Sequence, residues 1–154
     1  VKEIILLSNT PYSLENDYHC LASNIYWEAR NQPLLGKLAV AQVTQNRVNS
    51  KKFPNSICGV ITQTRFYPSG RIDLHSCQFS WYCDGKLDIP SMGKMWGQSR
   101  EVAVYVLKNT QLLDITDGAT HYHADYIDSP RWASLRDKTM QIDTHIFYNK
   151  NKKI

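Results

Sequence analysis

The chain has no Cys-x-x-Cys pair, which removes the commonest thiolate cage for a structural metal. It has no Gly-x-Ser-x-Gly elbow, no phosphate loop and no dinucleotide fingerprint. Serine-hydrolase chemistry and nucleotide cofactors therefore have no local signature. No apolar stretch approaches the roughly 18 residues of a spanning helix, so no membrane span is expected. Residues 1–16 do not read as a secretory leader, although a start at Val1 is compatible with earlier trimming. Repeats and low-complexity segments are absent. Arginines and lysines are scattered and not arrayed in a stripe, which argues against a nucleic-acid partner.

What is present fits an ordinary globular domain. With 154 residues, 42% hydrophobic and 21% charged, the chain can bury one real core and has little room for a second. The net charge of +4 suits an anionic polymer such as an envelope glycan, but many soluble domains share that balance. A monomer is the default. Of the four cysteines, Cys20 opens the first helix and is expected to be a buried thiol. The other three leave one disulfide open: Cys58 with Cys77 or Cys83, or Cys77 with Cys83. A bridge would indicate an oxidising compartment such as the periplasm.

Residues 1–16 read as an irregular lead-in, and 17–154 as a single domain. A first helix is expected over about 17–31, capped by Asn16 or Asp17 and ended by Gln32-Pro33. A second runs over about 35–49, with Gly36, Ala39, Val40, Val43 and Arg47 as its stripe and small residues that permit close helix approach. Ser56 caps a short turn through Ile61. Residues 64–93 carry five Gly and Pro residues and are too long for an idle connector. A third helix spans Lys94 to Leu107, with Met95, Ser99, Val102, Ala103 and Val106 inward. Thr120 to Ile127 starts as a strand, and residues 130–133 form a docking turn. Met140 to Asp143 and His145 to Tyr148 are strands around a tight bend, and 149–153 is a solvated tail. The fold class is α+β, mainly helical with a small antiparallel sheet.

One residue breaks the pattern. At helical spacing Leu21, Asn24, Ile25 and Glu28 share the face a globular domain buries. A carboxylate there is costly unless paired, hydrogen-bonded or protonated. Arg30 or Arg47 could supply a structural ion pair. A carboxyl kept protonated near neutral pH is instead what a general acid needs. Tyr26 and Trp27 flank it with apolar surface that raises a pKa and planes on which sugars stack.

Two more clusters mix polar and aromatic groups. In Cys77-Gln-Phe-Ser-Trp-Tyr-Cys-Asp-Gly85, Gln78 and Ser80 would face one way if extended. In Gly118-Ala-Thr-His-Tyr-His-Ala-Asp125, His121 and His123 alternate to one side of a strand and Tyr122 to the other. His121, His123 and Asp125 also have the residue types of a 2-His-1-carboxylate metal set, with no His-Glu-x-x-His helix in support.

The motifs Leu21-Ala-x-x-Ile-Tyr-x-Glu-Ala-Arg30, Gly36-Lys-Leu-Ala-Val-Ala41 and Val43-x-x-Asn-Arg-Val48 occur in order. So do Phe53-Pro-Asn-Ser-Ile-Cys-Gly-Val60, Cys77-Gln-Phe-Ser80, Thr120-His-Tyr-His-Ala124 and Pro130-x-Trp132. Together, over about residues 20–148, they resemble the cell wall hydrolases of the spore-cortex-lytic SleB/CwlJ type. The resemblance implies a lysozyme-like fold and cleavage of peptidoglycan glycan strands in the bacterial envelope. It implies Glu28 as the catalytic acid. Trp27, Gln78, Ser80, His121, Tyr122, His123 and Trp132 become the expected substrate contacts, with no metal and no cofactor. No peptidoglycan-binding repeat is recognisable. The cysteine-rich stretch looks more like Gram-negative or phage members, and a compact domain of this kind also resembles a phage lysin.

A glycosidase normally needs two carboxylates, roughly 5 Å apart if retaining and roughly 6.5–9.5 Å apart if inverting. Asp84, Asp125 and Asp128 are available, but none stands in a telling pattern. With one carboxylate, the 6-hydroxyl of muramic acid can be the nucleophile, helped by the large effective molarity of an intramolecular attack. The expected activity is therefore that of a lytic transglycosylase giving 1,6-anhydro-muramoyl products. A water-using muramidase is the alternative, followed by a metal-dependent amidase on His121, His123 and Asp125, and by a non-catalytic glycan-binding module.

Overall fold

The computed structural model describes residues 12–86, 90–91, 93–109 and 111–151, with backbone alone at 150–151. Most of the expected lead-in, part of the 64–93 loop and the last residues of the expected tail lie outside the described residues.

Helix α1, Asp17–Ala29, is the centre of the molecule. Asn16 caps it by accepting a hydrogen bond from the His19 amide at 3.2 Å, which satisfies one of the free amides of the first turn. Every residue from Tyr18 to Tyr26 is buried, because α1 packs at once against the helices Leu34–Val48, Ile57–Ile61 and Lys94–Lys108. It ends two residues before the expected boundary. Pro33 disfavours helical backbone at Gln32, and α2, Leu34–Val48, restarts immediately after it. The whole expected stripe of α2 is buried, Arg47 included. Its small residues divide the work: Ala41 belongs to the helical core, while Ala39 admits Phe147 of the sheet.

Ser56 caps α3, Ile57–Ile61, by accepting from the Gly59 amide at 3.0 Å. In α4, Lys94–Lys108, the first inward residue is Trp96, and Met95 is 45% exposed, contrary to its expected inner position. Trp96 fills the space instead, meeting Tyr12 and Tyr26 edge-on. Tyr12 also bonds Ser23 at 2.8 Å, so the end of the lead-in is packed onto α1.

The sheet has strands β1 (His121–Ala124), β2 (Arg136–Ile142) and β3 (His145–Asn151), in antiparallel order β1-β3-β2. β1 is shorter than expected, while β2 starts earlier. β3 runs to Asn151, so the expected tail is partly strand. Pairing with the central strand accounts for both extensions. The β2–β3 bend places Asp143 at φ 50, a conformation that Asp tolerates better than most residues. Pro130 leads into a single-turn 3-10 segment, Arg131–Leu135.

Both pairs of cysteines are bonded, Cys20 to Cys58 and Cys77 to Cys83. Cys20 is therefore not a thiol. Its face of α1 meets α3 with Cα atoms 5.3 Å apart, a proximity that a separation of 38 residues conceals. The second bridge is one of the expected pairings. It closes the loop around the 3-10 turn Ser80–Cys83.

Candidate active site

Glu28 stands in the last turn of α1, where the helix meets the sheet. Opposite it, β1 turns Tyr122 away from its histidine neighbours and into the junction of the helical core and the sheet core. The Tyr122 hydroxyl donates to Glu28 Oε1 at 2.6 Å. The Glu28 carboxyl is held above its ordinary pKa. Burial raises it most, and the Tyr122 hydrogen bond and the charge of Arg47 pull the other way. Tyr122 is itself raised, by burial and by the adjacent Glu28, so it remains a hydroxyl that donates.

Neither arginine makes the structural ion pair that Glu28 might have formed. Arg30 lies over the rings of Tyr26 and Trp27, at 5.3 and 5.2 Å. Arg47 acts on Glu28 through space, while two of its donors are engaged elsewhere. Its Nε donates to the Thr120 carbonyl at 2.7 Å and its Nη1 to Gln78 Oε1 at 3.4 Å. Its guanidinium sits between Phe53 and Phe79, at 4.9 and 5.3 Å. Arg47 thus ties the strand that carries Tyr122 to the loop that carries Gln78. Sequence reasoning placed Arg47 on the buried stripe but not in this role. The signal was a permanent cation among apolar stripe residues, which must find aromatic faces and carbonyls.

The other expected residues fall into two walls. On one side Gln78 and Ser80 are exposed with Phe79 buried between them, the alternation anticipated for an extended approach. Behind them Trp81 is buried, and its Nε1 donates to Asn24 Oδ1 at 2.9 Å. Trp27 is stacked on Trp81 with ring centres 6.5 Å apart. On the other side His121 lies between Phe53 and Trp132, at 5.9 and 5.1 Å. Burial, then Arg47 and Arg136, push His121 down to a pKa of about 3, so it is a neutral ring at physiological pH. His123 is buried beneath Trp132. Its Nδ1 donates to the Ala124 carbonyl at 2.8 Å and its Nε2 bonds the Tyr148 hydroxyl at 2.9 Å.

Asp84, Asp125 and Asp128 are exposed, and among the described residues no carboxylate is one of the groups that shift Glu28. Asp125 accepts from Gln141 Nε2 at 3.0 Å. Among the described residues, no three His, Cys, Asp or Glu side chains are grouped as a metal set would be. What the site offers is one half-buried carboxyl poised to hold a proton, a hydroxyl that orients it, and flanking aromatic and amide groups.

A mainly helical, lysozyme-like domain with these motifs in order is a cell wall hydrolase: the model of that family matches residues 31–148, and the chain belongs to it. Within the family it is of the SleB/CwlJ type. Glu28 lies just ahead of the matched segment. The chain is 44% identical over 149 residues to the spore cortex-lytic enzyme of Bacillus subtilis, covering 95% of this chain and 42% of that one. It is 32% identical over 135 residues to the spore cortex-lytic enzyme of Halalkalibacterium halodurans, covering 88% and 35%. The chain thus spans less than half the length of these relatives. Its fold matches the catalytic domain of the Bacillus cereus SleB protein with a TM-score of 0.64 and 29% identity, over 92% of this chain and 94% of that one. The catalytic domain of the germination-specific lytic transglycosylase SleB from Bacillus anthracis matches with a TM-score of 0.60 and 27% identity, over 91% and 98%. These relatives are spore-enzyme proteins and lend no support to a phage origin. Among the described residues no helix is long and apolar enough to cross a membrane.

Proposed function

We propose that this domain cleaves peptidoglycan glycan strands in the bacterial envelope, between N-acetylmuramic acid and N-acetylglucosamine, as a lytic transglycosylase. The observation that carries the reading is Glu28: a carboxyl of raised pKa, bonded to Tyr122 through Oε1, with no second carboxylate among the described residues acting on it. The protonated Oε2 donates to the glycosidic oxygen as the bond to the anomeric carbon breaks. Charge then develops on Glu28, and the Tyr122 hydrogen bond strengthens with it. The 6-hydroxyl of the same muramic acid attacks its anomeric carbon and loses its proton to Glu28. A 1,6-anhydro ring forms, the acid is restored, and no water is consumed.

In this reading Trp27, Gln78, Ser80, His121 and Trp132 line the bound strand. Tyr122 orients Glu28, and His123 supports Trp132 from beneath. Residues 17–154 act as one catalytic domain. Mass spectrometry of digested sacculi tests the chemistry. Anhydro-muropeptides are expected, and reducing muramic ends would replace the transglycosylase with a muramidase. Cleavage that survives Glu28→Gln would overturn both.

A further inference from the structure

A cavity of about 580 Å³ opens beside the catalytic residues, between the C-terminal end of α2 and the start of β2. It has no part in the acid–base chemistry above. Its lining includes Asn49, Lys52, Phe53, His121, Arg136 and Asn149, and no Asp or Glu among the described residues. Lys52 and Arg136 make this lining cationic. Arg136 Nε is buried with no hydrogen-bond partner, a costly state for a charged donor. The charge of Arg136 reaches both Arg47 and His121, so positive groups gather here; Glu28 acts on Arg47, and Asp114 is already engaged by Asn46 and Gly118. A fork of N–H donors on a planar cation matches a carboxylate.

Resting on the glycan-cleaving reading, we propose that this cavity is a subsite for the stem-peptide carboxylates of peptidoglycan. The N-acetylated sugars of the strand are neutral, and the lactyl group of muramic acid is consumed in the amide to the peptide. The anionic groups of a peptide-bearing strand are thus the free carboxylates of its stem. That peptide leaves the sugar sideways from its O3 and needs a place beside the cleft. The cavity shares His121 and Phe53 with the cleft wall, and Arg47 lies between the two, over Phe53. Arg136 would pair with the carboxylate, the exposed Lys52 would attract it, and the neutral His121 would permit close approach.

The test compares two soluble probes by calorimetry on the full chain. One is the disaccharide N-acetylglucosaminyl-N-acetylmuramoyl-L-alanyl-D-glutamate, and the other is the same compound with both carboxyls of its glutamate amidated. The acid is expected to bind about tenfold more tightly, a preference that fades with salt. Arg136→Gln should abolish the preference and Lys52→Ala should reduce it, with the amide bound as before. Lys52 is exposed, so its variant reads the subsite even where Arg136→Gln disturbs the fold. Equal binding of acid and amide overturns the proposal, as does a preference that survives both substitutions. Tighter binding of inorganic phosphate than of the acid assigns the cavity to a phosphate-bearing polymer and also overturns it. Absence of glycan cleavage with the preference intact removes the catalytic reading and leaves the subsite standing.

Discussion

Two carboxyl groups in this domain are shielded from water and driven to opposite charge states. Asp114 precedes the turn that delivers β1. Burial pushes its pKa up, but donors outweigh burial and hold it below the usual carboxylate value. Its Oδ1 accepts from the Thr116 amide and hydroxyl at 2.8 and 2.7 Å. Its Oδ2 accepts from the Gly118 amide and Asn46 Nδ2 at 2.8 and 2.9 Å. Glu28 has one bond, from Tyr122, and burial wins. The same functional group is thus a fixed anion in one place and a proton carrier in the other. The number of donors supplied by the fold decides which. Asp114 positions the strand, and Tyr122 on that strand meets Glu28.

The largest effect expected of any single change is on catalysis. Glu28→Gln keeps the shape and the bond to Tyr122 but has no proton to give. Glycan cleavage should fall by about 10³-fold or more, roughly 4 kcal/mol of barrier, with circular dichroism unchanged. If the comparison holds, the counterpart Asp114→Asn fails through folding and not through chemistry. An amide NH₂ would face two donors in place of acceptors. A loss of about 3 kcal/mol in unfolding free energy is expected by urea titration. An unchanged stability would show that the four bonds around Asp114 matter little.

The two carboxyls differ as much in how visible they are in sequence. Glu28 was legible because helical spacing puts it beside Leu21 and Ile25, where a charge does not belong. Tyr122 was legible as the strand residue facing opposite to His121 and His123. Asp114 drew no attention, because its partners combine a local turn at Thr116 and Gly118 with a distant amide on α2. Asp-x-Thr-x-Gly is a hint of such a turn, but Asn46 comes from 68 residues away. Cys20 was misread for the same reason, since only the packing of α1 on α3 brings Cys58 to it. Met95 and Trp96 show the limit of periodicity: Ser99, Val102, Ala103 and Val106 are inside as expected, but at the start of α4 the larger Trp96 takes the inner place of Met95.

A smaller effect sharpens the role of the single donor at Glu28. Tyr122→Phe removes the hydrogen bond that lowers the Glu28 pKa, so that pKa should rise further. A general acid fails above its pKa. The alkaline limb of the kcat profile should therefore move to higher pH, while kcat at its maximum falls about tenfold as orientation is lost. Loss of activity without movement of that limb would reduce Tyr122 to a packing residue.

The smallest effect tests the comparison itself, through stability against pH. Glu28 has a folded pKa above its unfolded one. It is harmless below the unfolded value, and its penalty grows as pH rises from there through the folded value. Asp114 has a folded pKa below its unfolded one. Its contribution is complete above the unfolded value and is lost as pH falls through the folded one. At neutral pH, Glu28→Gln should thus be more stable than the parent, by on the order of 1 kcal/mol, and Asp114→Asn less stable. As the solution is acidified, the two variants should approach the parent from opposite sides. Urea titrations from pH 8 to pH 3 read this directly. Parallel curves for the parent and Glu28→Gln would mean that Glu28 is solvated like any surface carboxylate. The poised acid at the centre of the proposed mechanism would then lose its physical basis.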